Sequence, residues 1–101
     1  MVQAIENWAD LSGRVLDLRP RQGVPDMSEM VVHVDRADDV EGYPNLLTEA
    51  PGEDLAIAVK TDKLREAGLE TGAEIHCRVQ RAGPGTVVAH PRGPSGSPQG
   101  G

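Results

Sequence analysis

The alternation of apolar and polar residues is clearest between Asp54 and Arg81, where a strand pattern, a short helical segment, a Gly-marked turn and a second strand pattern follow one another. In Asp54 to Lys60, Leu55, Ile57 and Val59 alternate with Ala56, Ala58 and Lys60, which predicts a strand with one bulky buried face and one small, smooth face. In Ala73 to Arg81, Ile75, Cys77 and Val79 face one way and Glu74, His76, Arg78 and Gln80 the other. Between the two, Thr61 is expected to cap a helix that carries Asp62 in its first turn and ends at a left-handed Gly68. Leu64, Ala67 and Leu69 are expected to turn toward the core.

The remaining elements are placed relative to that stretch. Val2, Ile5 and Trp8 recur at three-residue spacing, which predicts a short helical turn over residues 1–10, either a plug with Trp8 as the lid of a core or a hook for a partner. Ser12 to Arg19 predicts a first strand through Val15, Leu16 and Leu18, with Gly13 marking a bulge or bend. Pro20, Gly23 and Pro25 break periodicity and predict a loop. Met30 to Arg36 predicts a second strand with Met30, Val32 and Val34 inward. Ala37 to Glu53 is a long acidic insertion holding Asp38, Asp39, Glu41, Glu49 and Glu53 together with Val40, Tyr43, Leu46 and Leu47. Thr86 to His90 predicts a last strand after a Gly-rich turn. Residues 91–101 hold only Pro, Gly, Ser, Gln and one Arg and are expected to be a disordered tail.

Composition narrows the reading. A chain of 101 residues supports one domain, here residues 1–90, and with no Phe, one Trp and one Tyr its core must be aliphatic. A formal charge of -6 works against phosphate backbones, whose binding depends on Lys and Arg displacing counterions. The single Cys77 leaves no internal disulfide and suits a reducing compartment. No basic leader or long apolar run is present, so the expectation is a soluble, cytoplasmic protein without membrane contact.

The order strand, strand, strand, helix, strand, strand predicts a mainly β fold, a five-stranded antiparallel barrel with one short helix between strands three and four. This order resembles the OB-fold. Within it, AVKTDKLREAGLETGAEIHCRVQRAGPGTVV is similar to the second half of TOBE and molybdate-binding (molbindin-like) modules through Thr61, Leu64, Gly68, Leu69 and Gly72, with LSGRVLDL as their first strand. That resemblance implies binding of a small ligand or oxyanion, without assigning ligand residues.

Catalysis has few candidates. Cys77 would need a base among His33, His76 and His90, and neighbouring residues of a regular strand point to opposite faces, so His76 and Cys77 cannot meet. His33 and His76 both face outward and Asp35 shares the face of His33, but the strand order separates the histidines and leaves at most a weak two-ligand site; the run ADDVEG lacks a calcium loop's spacing, so no metal or cofactor is expected. For single-stranded nucleic acid, Arg14, Arg19, Arg78 and Arg81 could form a strip, but the face of Val31, His33, Ala56 and Ala58 offers no stacking ring. Tyr43, Leu46 and Leu47 are expected either to fold back over a barrel edge or, as apolar anchors within a charged rim above the smooth Ala56 and Ala58, to dock another protein. The resulting expectation is a non-catalytic binding or assembly module that contacts another protein or itself. Ligand binding of the TOBE kind is the alternative, and nucleic acid comes third.

Overall fold

The computed structural model describes residues 6–21, 23–83 and 85–97. The elements are β1 (Ala9–Pro20), β2 (Met27–Asp39), β3 (Asp54–Lys60), α1 (Thr61–Ala67), β4 (Glu74–Gly83), β5 (Thr86–Ala89) and β6 (Ser95–Ser97). β1 pairs antiparallel with β2 along one edge and with β4 along the other, β2 pairs with β3, and β4 with β5. A short parallel pairing of β3 with β5, Ile57 to Val87 and Ala58 to Val88, completes the circuit. The result is a closed five-stranded barrel, compatible with an OB-like barrel, with its helix between β3 and β4. Closure removes the free strand edges that a small open sheet would expose.

The core is aliphatic and continuous. Leu11, Val15, Met30, Val32, Val34, Ile57, Val59, Ile75, Cys77 and Val79 point inward from β1 to β4, joined by Val87 from β5. Two bulges keep the inward sets aligned. The β1–β2 register shifts at Ser12/Gly13, where β2 gives up Asp35, and at Val15/Asp17, where β1 gives up Leu16. An extra residue reverses which side of the strand faces the core. Leu18, rather than Asp17, therefore packs on the core after one bulge, and Ala37, rather than Arg36, after the other. Leu16 is left at the surface.

Gly13 permits the closest approach in the barrel. A Cβ at this position would lie 2.2 Å from the His33 carbonyl oxygen and 2.7 Å from a Val32 methyl. The bend expected at Gly13 is present, and its cause is steric.

The helix differs from expectation at its start. Lys60 is the N-cap and makes no side-chain cap, while the Thr61 hydroxyl bonds across to Ser28 Oγ at 2.8 Å. Asp62 does occupy the first turn, and Gly68 ends the helix in the left-handed region with its N–H donating to Arg65 O. Leu64 and Leu69 pack on the core as expected.

Both ends of the chain also differ. Of the helical turn expected over residues 1–10, residues 1–5 lie outside the described residues, while Ala9 and Asp10 already belong to β1. Trp8 is only half-buried, and beside it Asn7 is buried and continues the ladder by side chain: its Nδ2 donates to Arg81 O and its Oδ1 accepts from Arg81 N. The segment expected as a tail contains β6, which pairs with β4 from Glu74 to His76. A Ser-Gly-Ser strand carries no apolar signal because it acts through hydrogen bonds, those of its backbone and that of Ser95 Oγ to His76 O; Gly96 lies where a Cβ would strike Leu69.

Two outcomes follow for stability. Gly13→Ala should cost about 2 kcal/mol or more in urea unfolding, since the obstacle is backbone, whereas Gly68→Ala should cost only about 1 kcal/mol for its positive φ; equal small losses would contradict the close approach. Ending the chain at His90 should lower the melting temperature, while ending it at Ser97 should not.

Candidate functional site

The connection from Val40 to Glu53 is built by local turns. Hydrogen bonds close turns from Val40 to Tyr43, Leu47 to Ala50 and Ala50 to Glu53, and the segment returns to β2 through Gly52 N to Val34 O and Val34 N to Glu53 O. Asn45 ties it to the strand end: its Nδ2 donates to Ala37 O and Asp39 Oδ1, and its Oδ1 accepts from Leu47 N. Asparagine favours this because its short amide bonds the backbone two residues on. Sequence reasoning passed over Asn45, although an Asn amid apolar residues in a loop is a signal for such a turn.

This turn separates the two leucines. Leu47 is 2 % exposed and joins the core with Ala50, so it closes the barrel and is not available to a partner. Leu46 is 44 % and Tyr43 42 % exposed. A cleft of about 520 Å³ lies along the connection, and Leu46, Leu55 and Arg81 line it together with Glu49, Glu53 and Asp54.

Ala56 and Ala58 lie elsewhere. They occupy the outer face of β3, opposite Val31 and Glu29 of β2, and line none of this cleft. Ala56 is exposed, but Ala58 is covered by the chain itself, in a small hollow with Met27, Val88, Pro91 and Lys63. The structure thus keeps Tyr43 and Leu46 at the surface, places Leu47 in the core, and sets the two alanines apart from them.

The four arginines do not form a free strip. On the outer face of β1 and β4 the register sets Asp10 opposite Arg78, Ser12 opposite His76 and Arg14 opposite Glu74. Arg78 grips Asp10 with two hydrogen bonds, Nε to Oδ1 at 2.8 Å and Nη2 to Oδ2 at 3.1 Å, and Ser12 Oγ lies 3.0 Å from His76 Nδ1. Arg19 is paired with Glu29 and Asp17. Arg81 lines the acidic cleft. The β2–β3 face carries His33, held to Asp54 at 2.8 Å, and no aromatic ring from Trp8 or Tyr43.

The Arg78 hydrogen bond holds the Asp10 carboxyl below its ordinary range, and the same pair raises the arginine further. Cys77 points inward, where burial first and the Asp10 charge second push its thiol up to about 12. Such a thiol offers no thiolate nucleophile at neutral pH. Among the described residues, no group of three or more His, Cys, Asp or Glu side chains converges as a metal site, and no helix is long and apolar enough to cross a membrane.

No family model and no curated protein matches this chain.

The Asp10–Arg78 pair makes stability depend on acid. A carboxyl with a lowered folded pKa contributes fully above its unfolded value near ~3.9 and loses that contribution as pH falls through the folded value. Asp10→Asn should therefore melt below the wild type at pH 6, and the gap should narrow as the pH falls below the ordinary aspartate range and close only below the lowered folded value; a gap independent of pH would show that the pair contributes nothing through charge. Cys77 should react with a thiol reagent only as fast as the barrel opens, with full reactivity in denaturant.

Proposed function

We propose that the protein is a non-catalytic binding module that docks a partner protein through its acidic insertion. The observation that carries this reading is the cleft beside Leu46, in which this exposed apolar side chain and Leu55 are joined by three carboxylates, Glu49, Glu53 and Asp54, against one arginine, Arg81. An apolar anchor within a charged rim is the composition of a protein contact, and the sign of the rim selects the partner. The partner segment is one that presents an apolar side chain flanked by Lys or Arg. Tyr43, exposed in the same connection, extends the contact.

An OB-like assignment is supported by the strand circuit β1-β2-β3-β5-β4 and the helix after β3. In such barrels the loops between strands carry recognition while the barrel holds them in place. Nucleic-acid binding is the weaker reading, because Arg19 and Arg78 are engaged by carboxylates and the β2–β3 face lacks rings for stacking.

The test is an NMR titration with two short peptides, one carrying Leu between lysines and one carrying Leu between glutamates. The lysine peptide should shift amides from Asn45 to Leu55, and Leu46→Asp should abolish the effect while leaving the spectrum folded. Equal responses to both peptides, or shifts away from the insertion, would remove the proposal. For self-docking, sedimentation of the wild type against Tyr43→Ala and Leu46→Ala decides: a monomer in all three excludes a second copy as the partner.

A further inference from the structure

We propose that the cavity where the chain leaves β5 and rejoins β4 as β6 is a binding site for the phosphate group of a small phosphate ester. The site stands apart from the acidic cleft and does not rest on that reading.

The cavity arises from an unequal step. β5 pairs with β4 as far as Ala89 opposite Val79, and β6 resumes at Ser95 opposite His76. β4 advances three residues while the other segment advances six, so the intervening loop must bulge from the sheet. Beneath it lies a cavity of about 450 Å³, lined by Asp10, His76, Arg78, His90, Arg92 and Ser95. Its volume falls within the range of about 300–1,000 Å³ that holds small organic ligands. A chain of net charge -6 thus gathers two arginines and two histidines about a single carboxylate.

The donors are held in place before any ligand arrives. Asp10 orients the Arg78 guanidinium through Nε and Nη2, which leaves Nη1 to donate elsewhere. His90 Nδ1 accepts the Arg92 N–H at 3.0 Å, so the neutral ring carries its proton on Nε2. Trp8 packs against the same ring, with centroids 5.2 Å apart. Ser12 Oγ lies 3.0 Å from His76 Nδ1, and with that hydroxyl as the donor the neutral His76 ring likewise carries its proton on Nε2. The Arg92 guanidinium makes no ion pair or hydrogen bond among the described residues, yet it lies close enough for its charge to act on Asp10. The loop is seated firmly: Gly93 N donates to His90 O at 2.7 Å, and a Cβ on Gly93 would lie 2.7 Å from Lys63 Cβ.

These donors rise from two walls, Arg78 and His76 from β4 and His90 and Arg92 from the loop. One arginine fork satisfies a planar carboxylate, whereas a tetrahedral dianion takes donors from several directions. That geometry favours phosphate, and the spare volume favours an ester over the bare ion.

The test is a heteronuclear NMR titration of the full chain with glycerol 3-phosphate, inorganic phosphate and acetate, each against sodium chloride at matched ionic strength. Glycerol 3-phosphate should give saturable shifts at His76, Arg78, His90, Gly93 and Ser95, with inorganic phosphate weaker and acetate weaker still. Arg92→Gln, at an exposed position, should reduce affinity about tenfold with the fold intact. Arg14→Gln on the same outer face, and Leu46→Asp in the acidic cleft, should titrate as the wild type does. Shifts no larger than those from chloride, acetate binding as well as the phosphates, or an unchanged affinity in Arg92→Gln would each overturn the proposal.

Discussion

The barrel depends on β1 being shared between two partners. Its residues Ala9 to Arg14 pair with β2 on one edge and with β4 on the other, and only the absence of a side chain at Gly13 lets the strand come down onto the His33 carbonyl as it bends between them. Closing this seam joins residues far apart in the chain, such as Asp10 and Arg78, which are 68 positions apart. The entropy of that closure is offset by the aliphatic core it seals and by the backbone bonds it completes. The ladder is extended at both ends, by the Asn7 amide against Arg81 and by Val15 bonding to Ala73.

Both candidate sites sit where a regular ladder is interrupted. The acidic cleft follows from the fourteen residues of connection between β2 and β3, from Val40 to Glu53, which must turn back over the barrel before β3 can begin. The basic cavity follows from the excess residues between β5 and β6. The two regions differ in charge: Arg78, Arg92 and a single carboxylate, Asp10, line the cavity, whereas Glu49, Glu53 and Asp54 with one arginine, Arg81, line the cleft. A barrel can carry both, since strand pairing completes the five-strand circuit and the β2–β3 connection adds to the core only through Leu47 and Ala50.

Much of the barrel was legible in the sequence. The limits of β3, the inward faces of β2, β3 and β4, and the Gly68 helix stop all follow from alternation and backbone freedom. The bulges were harder, because strict alternation fails there: the apolar spacing changes from two to three at Val15–Leu18 and at Val34–Ala37, and that change is itself the mark of an inserted residue. Asn7 and β6 left no hydrophobic trace, since each acts through hydrogen bonds to backbone. Thr61 looked like a cap because its hydroxyl could serve as one, but Ser28 on a distant strand competes for it. Among the site residues, Tyr43 and Leu46 are exposed as a docking role would require, while the burial of Leu47 depends on the Asn45 turn and that of Ala58 on its pairing beside Val88. The basic cavity was hidden altogether, because its donors come from β4 and from a segment that composition alone marks as tail.

The most direct measurement of the shared-strand account is residue-resolved hydrogen exchange under native conditions. If β1 closes the barrel, its amides facing β4 and those facing β2 should exchange together, at the same slow rate as the β2–β3 ladder, because no edge can open without the whole circuit. Rapid exchange of the β1–β4 amides, with the β2–β3 amides still protected, would show an open sheet and contradict the closed barrel.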